Sequence, residues 1–475
     1  TEAYYRNIPI VALTFAHEVG NAYNYAPQHL DRSVSQNDIK LCSVVLPKVV
    51  DNKSRRECEL LLNVALKKCM YGRKGPVHID VAYLGVKFNV PNLPNVKKAN
   101  YTSVYDLLNL ETICEIAEEL ENKKVGVFIG EHRKFSNLLL TQISKFAKKY
   151  HAPVFVDHTS NYYGENKILI GQISDICLTQ NVPDIMIDIG GISGQYSQSR
   201  LFENVDVWRI SEMGEIRQRA GSITRYFDCR EEFFFEKFVE VETDGGYIKY
   251  AEQIKEEIDN LATDNLPNSG PESLPFSGAF VASKLLKKIP QGASLHVSIL
   301  NSLRSINFFN VANKITTNCN VGGFGIDGPI STLIGQAVAN KNKLVFAQVG
   351  DLAFFYDMNI LANRHLPNNL RIILINNGQG VEFRINTWLN RELGKDKIEP
   401  FISARGHNGS AKNWAETCSF VYMSAKNKKE YLDNLAKFCN PNLDYFKGPV
   451  LFEIFVQAYD DVVSVKTLRG KPQKK

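Results

Sequence analysis

An aspartate and an asparagine, each placed directly after an apolar run, are the most informative residues of this chain. In the stretch Lys343 to Phe383 one run ends at Gly350-Asp351. A helical segment follows with Phe354, Phe355, Met358 and Leu361 on its inner face, and a second run ends at Asn376-Asn377-Gly378-Gln379-Gly380. Strand, helix, strand makes a βαβ unit, whose parallel strands end on the same side of the sheet. Asp351 and Asn377, 26 positions apart, are therefore expected to meet outside adjacent strand tips, where open α/β sheets bind ligands. One carboxylate, one amide and a nearby backbone carbonyl form a hard, incomplete oxygen set. Mg²⁺ or Ca²⁺ favours such donors and completes its shell with diphosphate oxygens and water, while amides at the start of the following helix take the remaining phosphate charge. Each motif alone has a plainer account, Asp as a helix cap and Asn-Asn-Gly as a turn. Together, in this order, they are far more specific.

The elements that must position these residues are legible from period. Short β-branched runs alternate with amphipathic helices, the pattern of parallel sheets covered on both faces. Strands are expected at Ile8 to Leu13, Val77 to Val81, Val125 to Ile129, Val154 to Val156, Ile185 to Ile187, Leu344 to Val349, Arg371 to Ile375 and Val450 to Phe455. Two proline-bearing stretches interrupt the rhythm and read as linkers, giving segments 1–85, 110–258 and 276–475 separated by 86–109 and 259–275. The chain has 475 residues, 44% hydrophobic and 23% charged, which excludes a small module and a disordered polymer. No apolar run reaches the roughly 18 residues of a membrane span. The +5 charge, 56 basic against 51 acidic residues, is matched by the basic tail from Lys466 to Lys475 alone and makes no case for nucleic acid. The nine scattered cysteines show no zinc-ligand spacing and fit a reducing cytoplasm.

Gly350-Asp351-Leu352 followed by Asn376-Asn377 resembles the cofactor motif of the thiamine-diphosphate (ThDP) enzymes. Gly325-Ile326-Asp327-Gly328-Pro329-Ile330-Ser331-Thr332, Tyr356-Asp357-Met358-Asn359 and Asn301-Ser302-Leu303 are similar to signatures of one branch, the SEPHCHC synthases of menaquinone biosynthesis. Thr1 to Thr14 resembles the end of that family's pyrimidine-binding domain, and Gly75 to Val81 its closing strand. The resemblance implies three doubly wound α/β domains: pyrimidine-binding, central and diphosphate-binding. It also implies ThDP and Mg²⁺ as cofactors, with decarboxylation of a 2-oxo acid and transfer of the resulting carbanion to an acceptor. By position, Asp351, Asn377 and the Gln379 carbonyl would bind the metal. The amides of Leu352 and Ala353 would hold diphosphate, with Gly350 and Gly380 beside them. Ile326 would be the wedge beneath the bent cofactor, the Phe324 carbonyl would face the aminopyrimidine, and Asn301 and Ser302 would touch the cofactor. Gln28 matches a glutamine that places the adduct, and the site would lie between subunits of a homodimer or homotetramer.

Three departures accompany the likeness. The family's activating glutamate belongs upstream of the segment matching Thr1, and the expectation is that this sequence starts inside the first domain. Asn320-Val321-Gly322 stands where the family has Asn-Arg-Gly, and Arg304 falls two positions before a family arginine. Arg304 remains the candidate for a substrate carboxylate, since a guanidinium fork matches one bidentately. The acceptor is thereby left open, with a pyruvate-using synthase or decarboxylase, or a nucleotide-sugar acyl transferase, as a second reading. An inactive ThDP-binding homologue is a third. His29, beside Gln28, and Glu382, after the metal loop where many ThDP enzymes face substrate, are weaker candidates for proton transfer, with a surface role the preferred reading of each. The loop Gly190-Gly191-Ile192-Ser193-Gly194, lacking full Gly-x-Gly-x-x-Gly spacing, is read as a structural spacer.

Overall fold

The computed structural model describes residues 4, 8–16, 39–71, 74–82, 99–173, 181–212, 216, 218–219, 221–242, 245–265, 270–322, 324–385, 392–394, 397–398 and 406–469. In chain order the strands are β1 (Val11–Ala16), β2 (Cys42–Leu46), β3 (Val77–Ala82), β4 (Asn100–Ser103), β5 (Val125–Ile129), β6 (Val154–Val156), β7 (Lys167–Leu169) and β8 (Ile185–Ile189). They continue with β9 (Asp206–Ile210), β10 (Ser222–Asp228), β11 (Ser294–Val297), β12 (Thr316–Cys319), β13 (Val345–Gly350), β14 (Leu370–Asn376), β15 (Val421–Ala425) and β16 (Val450–Phe455). They form three sheets of three, seven and six strands. Every described pairing is parallel. This is the α/β class expected from the alternating runs.

Two compact units divide the chain: Thr1–Glu121, Asp184–Asp188 and Phe202–Gly245 make the first, and Asn122–Pro183, Ile189–Leu201 and Gly246–Lys475 the second. In the first, β1-β3-β2 is a small sheet under the helix Asn52–Met70. That helix starts at a capping box, Asp51 accepting from the Ser54 amide while Ser54 Oγ accepts from the Asp51 amide, which satisfies two of the amide donors a helix start leaves bare. It buries Ala65 and Cys69 against Val44, Leu46, Val77 and Ile79. The first strand starts three residues later than its apolar run suggests, because its register is set by β3, Val11 pairing with Val77.

The second unit carries the six-stranded sheet, ordered β12-β11-β13-β14-β16-β15. Its middle strands are mainly apolar and buried along nearly their full length, as parallel strands covered on both faces must be. One layer packs Leu295, Phe346, Ile373 and Phe452 against the helices Gly278–Leu285 and Lys428–Phe438. The other packs Val345, Ala347, Ile372 and Leu374 against Leu333, Phe354 and Leu361. The helix Tyr250–Asn265 extends into the stretch read as a linker from residue 259, since the first proline able to stop it is Pro267. No helix among the described residues is long and apolar enough to cross a membrane, and the eight described cysteines are free thiols.

Candidate active site

Strands β11 and β13 are neighbours, yet β12, which lies between them in sequence, sits on the far side of β11. The connections leaving their ends run in opposite directions and open a crevice, the usual ligand position in an open α/β sheet. Leu300 and Asn301 follow β11, Asp351 follows β13, and Asn377 follows β14. Because Gly350 pairs with Ile375, the aspartate and the asparagine stand side by side. The crevice, about 590 Å³ with the solvent space at its open mouth included, is lined by these residues together with Ser302, Ile326, Gln348, Gly350, Leu352, Ala353, Gln379, Gly380, Glu382 and Asp461.

Asp351 is 3% exposed. Its Oδ1 accepts from the Leu352 amide at 2.7 Å, and its Oδ2 accepts from the amides of Asn377 at 3.1 Å and Gly378 at 2.7 Å. His407 Nε2 lies 3.3 Å from the same Oδ2. Burial pushes the carboxyl up, and the surrounding amides and His407 draw it back. The side-chain amide of Asn377 is turned toward Asp461, donating Nδ2 to Oδ2 at 2.9 Å, while its Oδ1 accepts from the Gln379 amide at 3.1 Å. Asp461 also accepts from the Gly278 amide at 2.6 Å, and burial raises its carboxyl to about 6. The preceding residue, Asn376, points the other way, as successive strand residues do. It donates to the Gly409 carbonyl and to buried Glu453, so the first asparagine of the pair anchors a loop and only the second faces the cavity.

Several expected residues are therefore gathered in one place: Asn301, Ser302, Ile326, Gly350, Asp351, Leu352, Ala353, Asn377, Gln379 and Gly380 all line the cavity. The Leu352 amide, read as a phosphate donor, is already given to Asp351. Phe324 and Arg304 are not among the lining residues. Phe324 has a left-handed backbone (φ 49°) and an exposed side chain. Arg304, expected on a strand or turn, sits in the helix Asn301–Ile306 with its guanidinium on Glu382. Glu382 corrects the surface reading: it is 5% exposed and lines the cavity, because a carboxylate paired with arginine can be buried where a lone one cannot. Val321 is buried in the hydrophobic core, while Gln28 and His29 lie outside the described residues. In the glycine loop, Gly194 is a packing position: a Cβ there would meet Leu303 Cδ2 at 2.3 Å.

Sequence reading missed Ser298, Gln348, His407 and Asp461. Ser298 Oγ accepts from the Gly350 amide and donates to Ser302 Oγ. Gln348 carried a signal, a lone amide inside an apolar strand, and it is fully buried with neither Nε2 nor Oε1 bonded among the described residues. Asn301 Oδ1 and Glu382 Oε1 are likewise unbonded there. Leu300 adds strain, at φ 68° and ψ −124°, in a region that residues other than glycine occupy chiefly at functional sites.

No protein-family model matches the chain. Curated proteins similar to it include several named 2-succinyl-5-enolpyruvyl-6-hydroxy-3-cyclohexene-1-carboxylate (SEPHCHC) synthase. That of Bacteroides thetaiotaomicron is 28% identical over 481 residues, 98% of this chain and 82% of the relative. That of Bacteroides fragilis is 28% identical over 98% and 83%, and that of Flavobacterium psychrophilum 25% identical over 96% and 80%. The chain is a relative of the SEPHCHC synthases. The resemblance read from its motifs agrees with these relatives, and that resemblance implies ThDP and a divalent metal as cofactors. The residues present fit those groups. Buried polar atoms must be hydrogen-bonded, and here Asn301, Gln348 and Glu382 leave such atoms unbonded along the wall of the cavity that holds Asp351. A polar ligand would supply the missing partners.

Proposed function

We propose that this chain is a SEPHCHC-synthase-like enzyme which decarboxylates a 2-oxo acid, 2-oxoglutarate, and joins the remaining unit to isochorismate. The observation that carries this reading is the meeting of Asp351 and Asn377 in a cavity with unbonded polar walls. Similarity along 98% of the chain to proteins named for that product supports it. When bound, ThDP supplies a nucleophilic carbon and an electron sink for the decarboxylation.

The chain's own residues do the rest. Asp351, Asn377 Oδ1 and the Gln379 carbonyl would hold the cation, and the Ala353 amide at the helix start would receive phosphate charge. Ile299, Ile326 and Val381 give the cavity an apolar wall that keeps water off the reacting centre. Ser298 and Ser302 fix the Gly350 turn, so the donors are held before ligand arrives. Glu382, carried by Arg304, lines the cavity with one oxygen unbonded among the described residues and would serve as a proton acceptor toward substrate. The reading includes the three-domain partition at 1–85, 110–258 and 276–475, a carboligase chemistry, a homodimer or homotetramer, and a cytoplasmic place.

The deciding experiment gives the protein ThDP, Mg²⁺, 2-oxoglutarate and isochorismate, then follows CO₂ release and the coupled product by mass spectrometry. Product formation from 2-oxoglutarate supports the reading. CO₂ release from pyruvate in preference would move the assignment to a pyruvate-using synthase or decarboxylase, and cofactor binding with no turnover of either acid would make the chain a binding homologue. Light scattering of the loaded protein checks the oligomer, which a stable monomer would contradict.

A further inference from the structure

The last helix of the described chain, Ala458–Leu468, reaches the metal loop through one residue. Asp461 Oδ2 accepts from Asn377 Nδ2 at 2.9 Å and its Oδ1 from the Gly278 amide at 2.6 Å. Both carboxylate oxygens are thus committed, one to each of two elements distant in sequence. A separate contact of the same helix, Ser464 Oγ to Ser277 Oγ at 2.8 Å, holds it against the helix Gly278–Leu285. Asp461 is 7% exposed and lines the cavity.

A primary amide has two ends, and either can face a given direction at small steric difference. Only the oxygen end serves a divalent cation. An ionised carboxylate accepts and never donates, so the group behind Asn377 determines which end turns away from it: Nδ2 goes to Asp461 and Oδ1 is left on the opposite side. Oδ1 then accepts one bond, from the Gln379 amide at 3.1 Å, and retains a lone pair. We infer that Asp461 is a positioning residue which locks the Asn377 amide with its oxygen toward the cation. This deepens the cofactor site of the proposed function and rests on that reading.

Outer partners that orient metal ligands typically contribute ten- to a hundredfold in metal affinity. Asp461→Asn keeps the size of the side chain but can donate as well as accept, so it admits both amide orientations. The test titrates Mn²⁺ into the full chain at fixed ThDP, reading bound metal by electron paramagnetic resonance and stability by thermal melting. Asp461→Asn is expected to weaken Mn²⁺ by about ten- to a hundredfold, with Ser464→Ala, which loosens the same helix, unchanged in affinity. Equal affinity for Asp461→Asn and the parent overturns the inference, as does an equal weakening in Ser464→Ala, since that would make the effect one of helix docking. If Asp461→Asn does not fold, Asn377→Asp supplies the second arm. Its two equivalent oxygens remove any dependence on orientation, so in that background Ser464→Ala and the parent should match, and Asp461→Ser should lose only the modest attraction of its charge for the cation, less than about fivefold in Mn²⁺ affinity. A weakening there of about ten- to a hundredfold overturns the inference. A parent chain that binds no Mn²⁺ with ThDP present sinks the cofactor site itself, an outcome distinct from either.

Discussion

Asp157 and Asp351 each follow a buried parallel strand, β6 and β13, and each is almost wholly shielded from solvent. Around Asp157 every oxygen is used. Oδ1 accepts from the Thr159 amide at 2.8 Å and from its hydroxyl, and Oδ2 from Ser193 of the glycine-rich loop. No cavity opens beside it among those described. Around Asp351 the carboxylate is held by three backbone amides, while neighbouring side chains on the cavity wall keep unbonded atoms. The same residue type at the same place on a strand is architecture in one case and a prepared site in the other. What separates them is unspent hydrogen-bonding capacity next to empty space, not the motif itself.

The sharpest way to break this contrast is Asp351→Ala. Calorimetry should show Mg²⁺-dependent ThDP binding weakened by at least about a hundredfold, and unchanged affinity would remove Asp351 from the site. Asp157→Ala should do the reverse. Three donors lose a buried charged acceptor, so urea unfolding should show a loss of about 4 kcal/mol, with ThDP affinity kept within about twofold.

A smaller effect follows from pH. Burial lowers His158 from 6.5 to about 3, so between those values the unfolded chain holds a proton that the folded chain refuses. Stability contributed by the neutral ring is present above pH 6.5 and is lost as pH falls toward 3, by about 3 kcal/mol at pH 4. His158→Gln should flatten that slope in acid denaturation but not abolish it, because burial also lowers His296 to about 4. A slope unchanged by the substitution would mean that His158 does not titrate with folding. Smallest is Ile326→Ala, a half-buried residue on the cavity rim, for which a loss of roughly fivefold in ThDP affinity is expected from about 1 kcal/mol of apolar contact. No loss would leave the wedge assignment without support.

The βαβ unit carrying Asp351 and Asn377 was readable because strands buried on both faces appear as unbroken apolar runs, and the loop residues after them keep the order of their strands. Gln348 was readable in principle, being polar where everything around it is apolar. Asp461 was not. It lies 84 positions from Asn377 and in sequence is an ordinary acid in the first turn of a helix, where the helix dipole already accounts for it. The surface reading preferred for Glu382 failed for a related reason, although its place after the metal loop pointed to the cavity: the arginine that permits its burial is 78 positions upstream, and no local pattern announces the pair.

Local order along the chain thus determined the class of fold, the strands that end at the site and the donor types placed on their tips, because periodicity and residue chemistry act between near neighbours. Which strands became adjacent, which way the Asn377 amide faces, and which charges are neutralised before any ligand arrives were decided only by tertiary packing. Those properties depend on groups far apart in sequence approaching within 3 Å or so, where hydrogen bonding and desolvation become strong enough to choose among alternatives.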